Sequence, residues 1–199
     1  MKILSLGSSG LVASVAVVEN DTLLAEYTVN YKKTHSQTLL PMLDEISNMT
    51  ELDLSTIDAI AVAGGPGSFT GLRIGSATAK GLGLALEKPL ISIPTTAAIA
   101  YNIWDTNKFG CPNRDARRNQ VYTGVYCYTD HRLDTVWEQD TMSIEALAEG
   151  LNCLDHEVIF LGDGVPVHKE KLAKNPNFHF APPHCALQRA AAVAAYGTL

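Results

Sequence analysis

Apolar residues in this chain come in short runs broken by polar or glycine-rich turns, a spacing that predicts strands as often as helices. Residues 2–6 read as a first strand ending in the turn Gly7-Ser8-Ser9-Gly10. Two more strands, 13–18 and 23–31, join through a turn at Glu19-Asn20-Asp21 and predict an antiparallel meander. Thr34-His35-Ser36-Gln37 fits a capping box, and Leu39, Leu40, Leu43 and Ile46 then mark one helix face. Pro41 removes a backbone donor from that helix, so a kink or a displaced start is expected. Residues 57–63 form a fourth strand, apolar on both faces, and 72–86 the next helix. A strand at 90–93 and a helix at 95–103 follow.

The second half repeats this order. Strand-like runs occur near 108–113, 120–128 and 133–138, then a helix at 144–151 and a strand at 158–161. Gly162-Asp163-Gly164 leads into a helix near 167–173, and an alanine-rich helix over 186–196 closes the series. Three strands, a helix, a strand and a helix occur twice, which predicts an α/β protein of two similar lobes, 1–105 and 106–199.

Composition narrows the function classes. Of 199 residues, 46% are apolar and 18% charged, enough for a sizeable core and too apolar for disorder. No signal-peptide pattern opens the chain and no apolar run nears the ~20 residues of a membrane helix, so a cytoplasmic protein is expected. The net charge of −6 argues against independent nucleic-acid binding. The local exception is Arg114, Arg117 and Arg118, read either as a contact for a few phosphates or as a solvated loop balanced by Asp115. Cysteines 111, 127, 153 and 185 are widely spaced, with no C-x-x-C pair, and are expected to be reduced.

The densest signal is the loop Gly64-Gly65-Pro66-Gly67-Ser68-Phe69-Thr70-Gly71 between a strand and a helix. Such a loop can aim backbone N–H groups at an anion. It fails the specific tests, since Leu72 stands where a P-loop needs lysine, and Gly65, Gly67 and Gly71 miss the dinucleotide spacing. The helix it opens carries Gly71, Gly75, Ala79 and Gly83 every fourth residue, a ridge with almost no side chain. Each interior glycine costs roughly 1 kcal/mol of helix propensity relative to alanine. Close approach of another element would offset that cost. Packing within the monomer and a subunit interface shared with the Leu39/Leu43 helix both satisfy the pattern.

Other chemistries find little support. There is no H-E-x-x-H or H-x-x-x-H pair, the six histidines are scattered, and no G-x-S-x-G is present. No catalytic or metal-ligating set is assigned. Asp163, between two glycines, could approach a ligand, although a turn before a helix is the commoner use of that tripeptide.

Residues 63–75, Ala-Gly-Gly-Pro-Gly-Ser-Phe-Thr-Gly-Leu-Arg-Ile-Gly, resemble the hallmark of the TsaB (YeaZ) family. Thr34-His35-Ser36-Gln37 with Leu39-Leu40-Pro41 resembles that family's first helix. Asp115-Ala116-Arg117-Arg118, Val121-Tyr122 and Gly162-Asp163-Gly164 are similar to its later landmarks. The resemblance implies two lobes of the actin-like/Hsp70-like ATPase (RNase H-like) fold, with the last elements of the second lobe beyond Leu199. It implies a non-catalytic subunit of the machinery that makes threonylcarbamoyladenosine in tRNA, paired with a catalytic TsaD-type subunit and joined by a TsaE-type ATPase. It also implies a homodimer when alone, tRNA bound only through the complex, and no cofactor in the isolated chain, with ATP or ADP at the complex interface.

On this reading His35, Leu39, Leu40, Leu43, Arg73, Gly75, Ala79 and Gly83 bind the partner. Arg117, Arg118, Gly162 and Asp163 are candidate nucleotide or RNA contacts. Two departures stand out: Gly7 replaces the aspartate common in the family's first turn, and Asn113-Arg114 replace apolar residues. A stand-alone actin-like ATPase or kinase is the rival reading. It is weakened by the absent acid at position 7, which would organise Mg²⁺ near nucleotide phosphates.

Overall fold

The computed structural model describes residues 1–31 and 35–198. The capping box at Thr34 and the side chain of His35 lie outside the described residues. The chain forms two compact units, Met1–Ala98 with the segment from Gln188 onward, and Ile99–Leu187.

In the first unit, β1 (Lys2–Gly7), β2 (Ala13–Glu19) and β3 (Thr22–Val29) form the expected meander. β4 (Ala59–Gly65) then pairs parallel to β1, and β5 (Leu90–Pro94) parallel to β4, giving the order β3-β2-β1-β4-β5. Alternation along the strands splits the core in two. Leu4, Leu6, Val15, Val17, Ile60 and Val62 pack with Leu39, Met42, Leu43 and Ile46 of α1 (Leu39–Thr50) and with Ala79 of α2 (Phe69–Leu86). The opposite face carries Ile3, Ala61, Ala63 and Ile93, against Ala98 of α3 (Thr95–Ala100) and Val193 and Ala194 of the last helix. Burial on both faces explains why β4 reads as a continuous apolar run.

α1 begins at Leu39, so Pro41 falls in its first turn, where the N–H has no intrahelical acceptor in any case. Of the two expected outcomes, the displaced start is the one observed. α2 starts at Phe69, three residues earlier than predicted, because Ser68 caps it by accepting from the Gly71 N–H at 3.3 Å.

In the second unit, β6 (Phe109–Arg117), β7 (Gln120–Thr129) and β8 (Arg132–Ser143) form a second meander, followed by α4 (Ile144–Asn152) and β9 (Val158–Leu161). After α5 (Val165–Leu172), β10 (Phe178–Phe180) completes the order β10-β9-β6-β7-β8. The two sheets thus share one connectivity, with β6 to β10 repeating β1 to β5.

The division of the chain differs from the expected 1–105 and 106–199. The last helix, α6 (Ala190–Tyr196), belongs to the first unit, and residues 186–189 lie outside it. Small residues on the receiving face let its backbone approach. Ser5 Oγ donates to the Ala190 carbonyl at 2.7 Å, and Ser14 Oγ accepts from the Ala190 N–H at 2.9 Å. Glu26 accepts from the Ala191 N–H at 3.1 Å and pairs with Arg189, placing a carboxylate at the positive end of the helix.

Candidate functional site

The partner-binding set predicted on α1 and α2 divides by burial. Leu39, Leu43, Gly75, Ala79 and Gly83 are buried within the first unit, so a direct role as surface contacts is corrected for these five. Sterics explain the ridge. A β-carbon on Gly75 would overlap Ser8 Oγ, and one on Gly83 would sit 2.8 Å from Leu90 Cδ2 and 3.1 Å from the Lys88 carbonyl oxygen. The small residues therefore let α2 lie against its own sheet.

Leu40 and Arg73 are exposed. On the side of α2 opposite the ridge stand Phe69, Arg73, Ala77, Lys80 and Leu84. The Arg73 guanidinium lies 3.9 Å from the Phe69 ring centroid, a cation–π pair one helical turn apart. Phe69 is 68% exposed and Leu84 84% exposed. Neither was singled out from the sequence, although their spacing opposite the glycine ridge was the available signal. Beside α1, Tyr27, Val29, Tyr31, Pro41, Met42 and Glu45 help to line a cleft of about 450 Å³.

The glycine loop spends three of its donors internally. The Gly65 N–H donates to Thr95 Oγ1 at 3.1 Å and the Ser68 N–H to the Ser9 carbonyl at 2.7 Å. With the Gly71 N–H on Ser68 Oγ, three backbone amides of the loop are withdrawn from anion binding.

The first turn is filled as well. Ser8 Oγ donates to the Gly71 carbonyl at 2.9 Å, Ser9 Oγ donates to Gln188 Oε1, and a β-carbon on Gly7 would sit 2.8 Å from Gln188 Nε2. Gln188 arrives from the returning segment, and no local sequence signal marked it.

In the second unit, Asp163 accepts from Arg114 Nη2 at 3.1 Å and Nε at 3.4 Å, and from the Asp115 N–H at 3.4 Å. Both side chains of this bidentate pair are largely buried. Gly162 has φ +106°, and a β-carbon there would overlap the Asn113 carbonyl oxygen. The Gly162 N–H donates to the Ala186 carbonyl at 2.6 Å, and that of Gly164 to the Asn113 carbonyl at 2.9 Å. Asp163 and Gly164 thus fasten the loop after β9 to β6, with Gly162 packed close against Asn113, whereas Arg117 and Arg118 stand exposed at the β6–β7 turn. Arg114 is buried within β6, unlike the solvated loop position expected from the sequence, and Asn113 beside it is buried as well. Beneath them, burial pushes the Cys111 thiol up to about 12, against the opposing effect of its Thr123 hydrogen bond.

A family model described as TsaD, tRNA N6-adenosine threonylcarbamoyltransferase, matches residues 22–198. The tRNA threonylcarbamoyladenosine biosynthesis protein TsaB of Bacillus subtilis (strain 168) is 34% identical over 172 residues, covering 86% of this chain and 75% of that protein. The chain belongs to the TsaB (YeaZ) family. It is also a member of the broader family that the TsaD model describes. The TsaB of Escherichia coli (strain K12) is 31% identical, over 82% of this chain and 72% of its own. A crystal structure from Pseudomonas aeruginosa, of a protein described as similar to the peptidase YEAZ, superposes with a TM-score of 0.83 at 25% identity. That match covers 98% of this chain and 88% of the other. The two-sheet α/β architecture is thus shared with that YEAZ-like structure over nearly the whole chain.

Proposed function

We propose that this chain is a non-catalytic partner subunit of the machinery that adds a threonylcarbamoyl group to adenosine in tRNA. It binds and supports a TsaD-type catalytic subunit. The observation that carries this reading is the outer face of α2, where Phe69, Ala77 and Leu84 are exposed beside Arg73 and Lys80. Aromatic, aliphatic and arginine side chains with few competing acids make a contact surface of the kind that holds subunits together. Leu40 of α1 extends the set, and the cleft beside α1 suits an apolar side chain of the partner.

The filled first turn supports a non-catalytic role. Gln188, Ser8 and Ser9 occupy the place from which an actin-like ATPase would present an acid. In the assembly, a TsaE-type ATPase joins the pair, nucleotide is held where subunits meet, and tRNA is engaged only by the complex. The same α1–α2 face serves a homodimer when the chain is alone, and the complex works in the cytoplasm.

Co-purification with a TsaD-type subunit tests the reading, using Leu84→Glu and Phe69→Glu. Each charge placed on an anchor should weaken association about tenfold or more while leaving the fold intact. Parental binding by both variants would remove α2 as the interface, and failure of the unaltered chain to bind would remove the reading.

A further inference from the structure

The β6–β7 turn is built as a rigid, doubly charged tip. Arg117, Arg118 and Asn119 all adopt left-handed backbone conformations, with φ of 67°, 51° and 63°. Three such residues in a row, none of them glycine, persist only where the surroundings hold them. Both ends of the turn are pinned. The Arg117 N–H donates to Asp115 Oδ1 at 2.8 Å. Asn119 receives Lys171 Nζ at 2.9 Å on its Oδ1, and its Nδ2 donates to Glu145 Oε2 at 2.7 Å. The Ile144 N–H closes on the Asn119 carbonyl at 3.3 Å.

The two guanidiniums are not consumed by this scaffold. Arg117 has an 86% exposed side chain, with Asp115 Oδ2 3.8 Å away, and Arg118 is exposed with no ion pair among the described residues. Arg114, three residues upstream, is sequestered on Asp163. Lys171 spends its charge on Glu145. Two exposed guanidiniums on one pinned turn, one of them only loosely paired with Asp115, form a local positive site on a chain of net charge −6.

We propose that the Arg117–Arg118 tip contacts successive phosphates of an RNA backbone, the tRNA engaged by the complex. This inference rests on the function proposed above. RNA is favoured over an acidic protein surface because residues 117–120 are all exposed and polar, without the apolar anchor a protein interface needs. A polyanion requires only positioned charge. The acidity of the whole chain keeps this contact auxiliary: it adds to the binding of the assembled complex and does not create binding by the isolated chain.

The test measures binding of an unmodified tRNA transcript to the chain in complex with a TsaD-type subunit, across a salt series, with subunit association measured in parallel. Arg117→Ala/Arg118→Ala should weaken tRNA binding and lower the log–log salt slope by about 1–2, with subunit association unchanged. Arg117→Lys/Arg118→Lys should keep most of the slope, and Arg132→Ala, an exposed arginine at the β7–β8 turn, should leave it alone. Unchanged tRNA binding by the double alanine variant overturns the inference. So does an equal loss in the lysine variant, which would assign the effect to turn geometry. Loss of subunit association with the alanine pair would assign the tip to an acidic protein surface and also overturns it. If the unaltered chain fails to associate, the proposed function falls and takes this inference with it; intact association with unchanged tRNA binding removes the tip alone.

Discussion

Gly75 and Ser8 are matched by exclusion: the space a side chain would take on the helix is filled by the serine hydroxyl, which donates to the Gly71 carbonyl at 2.9 Å. Gly75→Ala gains roughly 1 kcal/mol of helix propensity but forces Ser8 off its acceptor in a packed site, at a cost of about 1–3 kcal/mol. A net loss of stability is expected in denaturant unfolding. Gly81, with open space around it, is the control: Gly81→Ala should stabilise by about 0.5–1 kcal/mol.

His168 lies on the buried side of α5, and neither ring nitrogen has a hydrogen-bond partner among the described residues. A buried polar group without a partner costs on the order of 1–3 kcal/mol. His168→Leu, similar in bulk, should therefore raise the denaturation midpoint. A lowered midpoint would mean that the imidazole is satisfied in solution.

Cys111 is the most deeply buried of the four thiols. Its folded-state value of about 12 lies above its ordinary 9.0, so the folded protein holds the proton more tightly. The stability this contributes is complete below pH 9 and is lost as pH rises toward 12, by roughly 1 kcal/mol per pH unit. Cys111→Ala should flatten the alkaline limb of the stability profile. Under native conditions a thiol reagent should label exposed Cys153 long before Cys111.

At the other end of the pH scale, hydrogen bonds from Lys108 and then His179 hold the Glu157 carboxyl below its usual 4.5. A depressed carboxylate stabilises above its unfolded value, and the contribution fades as pH falls through the folded one. Glu157→Gln should weaken the dependence of stability on pH below about 4.5, read from acid unfolding curves.

The meanders and the parallel strands were legible because their alternation survives in the residues: Leu4 and Leu6 face one core while Ile3 faces the other. β10 escaped notice because three residues are too few to show a period. The expected helix over 186–196 was too long at its start, since Arg189 is extended, with φ −129° and ψ 138°. Ala186 and Leu187 carry helical propensity that the packing of Gln188 into the first turn overrides. The glycine ridge was visible as a pattern, but its direction was not. Which side of α2 meets the sheet depends on Ser8, some sixty residues upstream, and on Leu90 of the strand that follows, neither of which the helix's own pattern contains. The exposed Phe69 and Leu84 become meaningful only once that direction is known.

The return of α6 to the first sheet has a consequence for biosynthesis. One face of that sheet, with Ser5, Ser14 and Glu26, waits for partners located 163 to 185 residues downstream. The segment 99–187 can collapse on its own residues as it leaves the ribosome, whereas the lobe made first is finished last. Until residues 188–196 emerge, the nascent chain presents a half-built sheet with an open apolar face, which is the interval when a chaperone has most to hold.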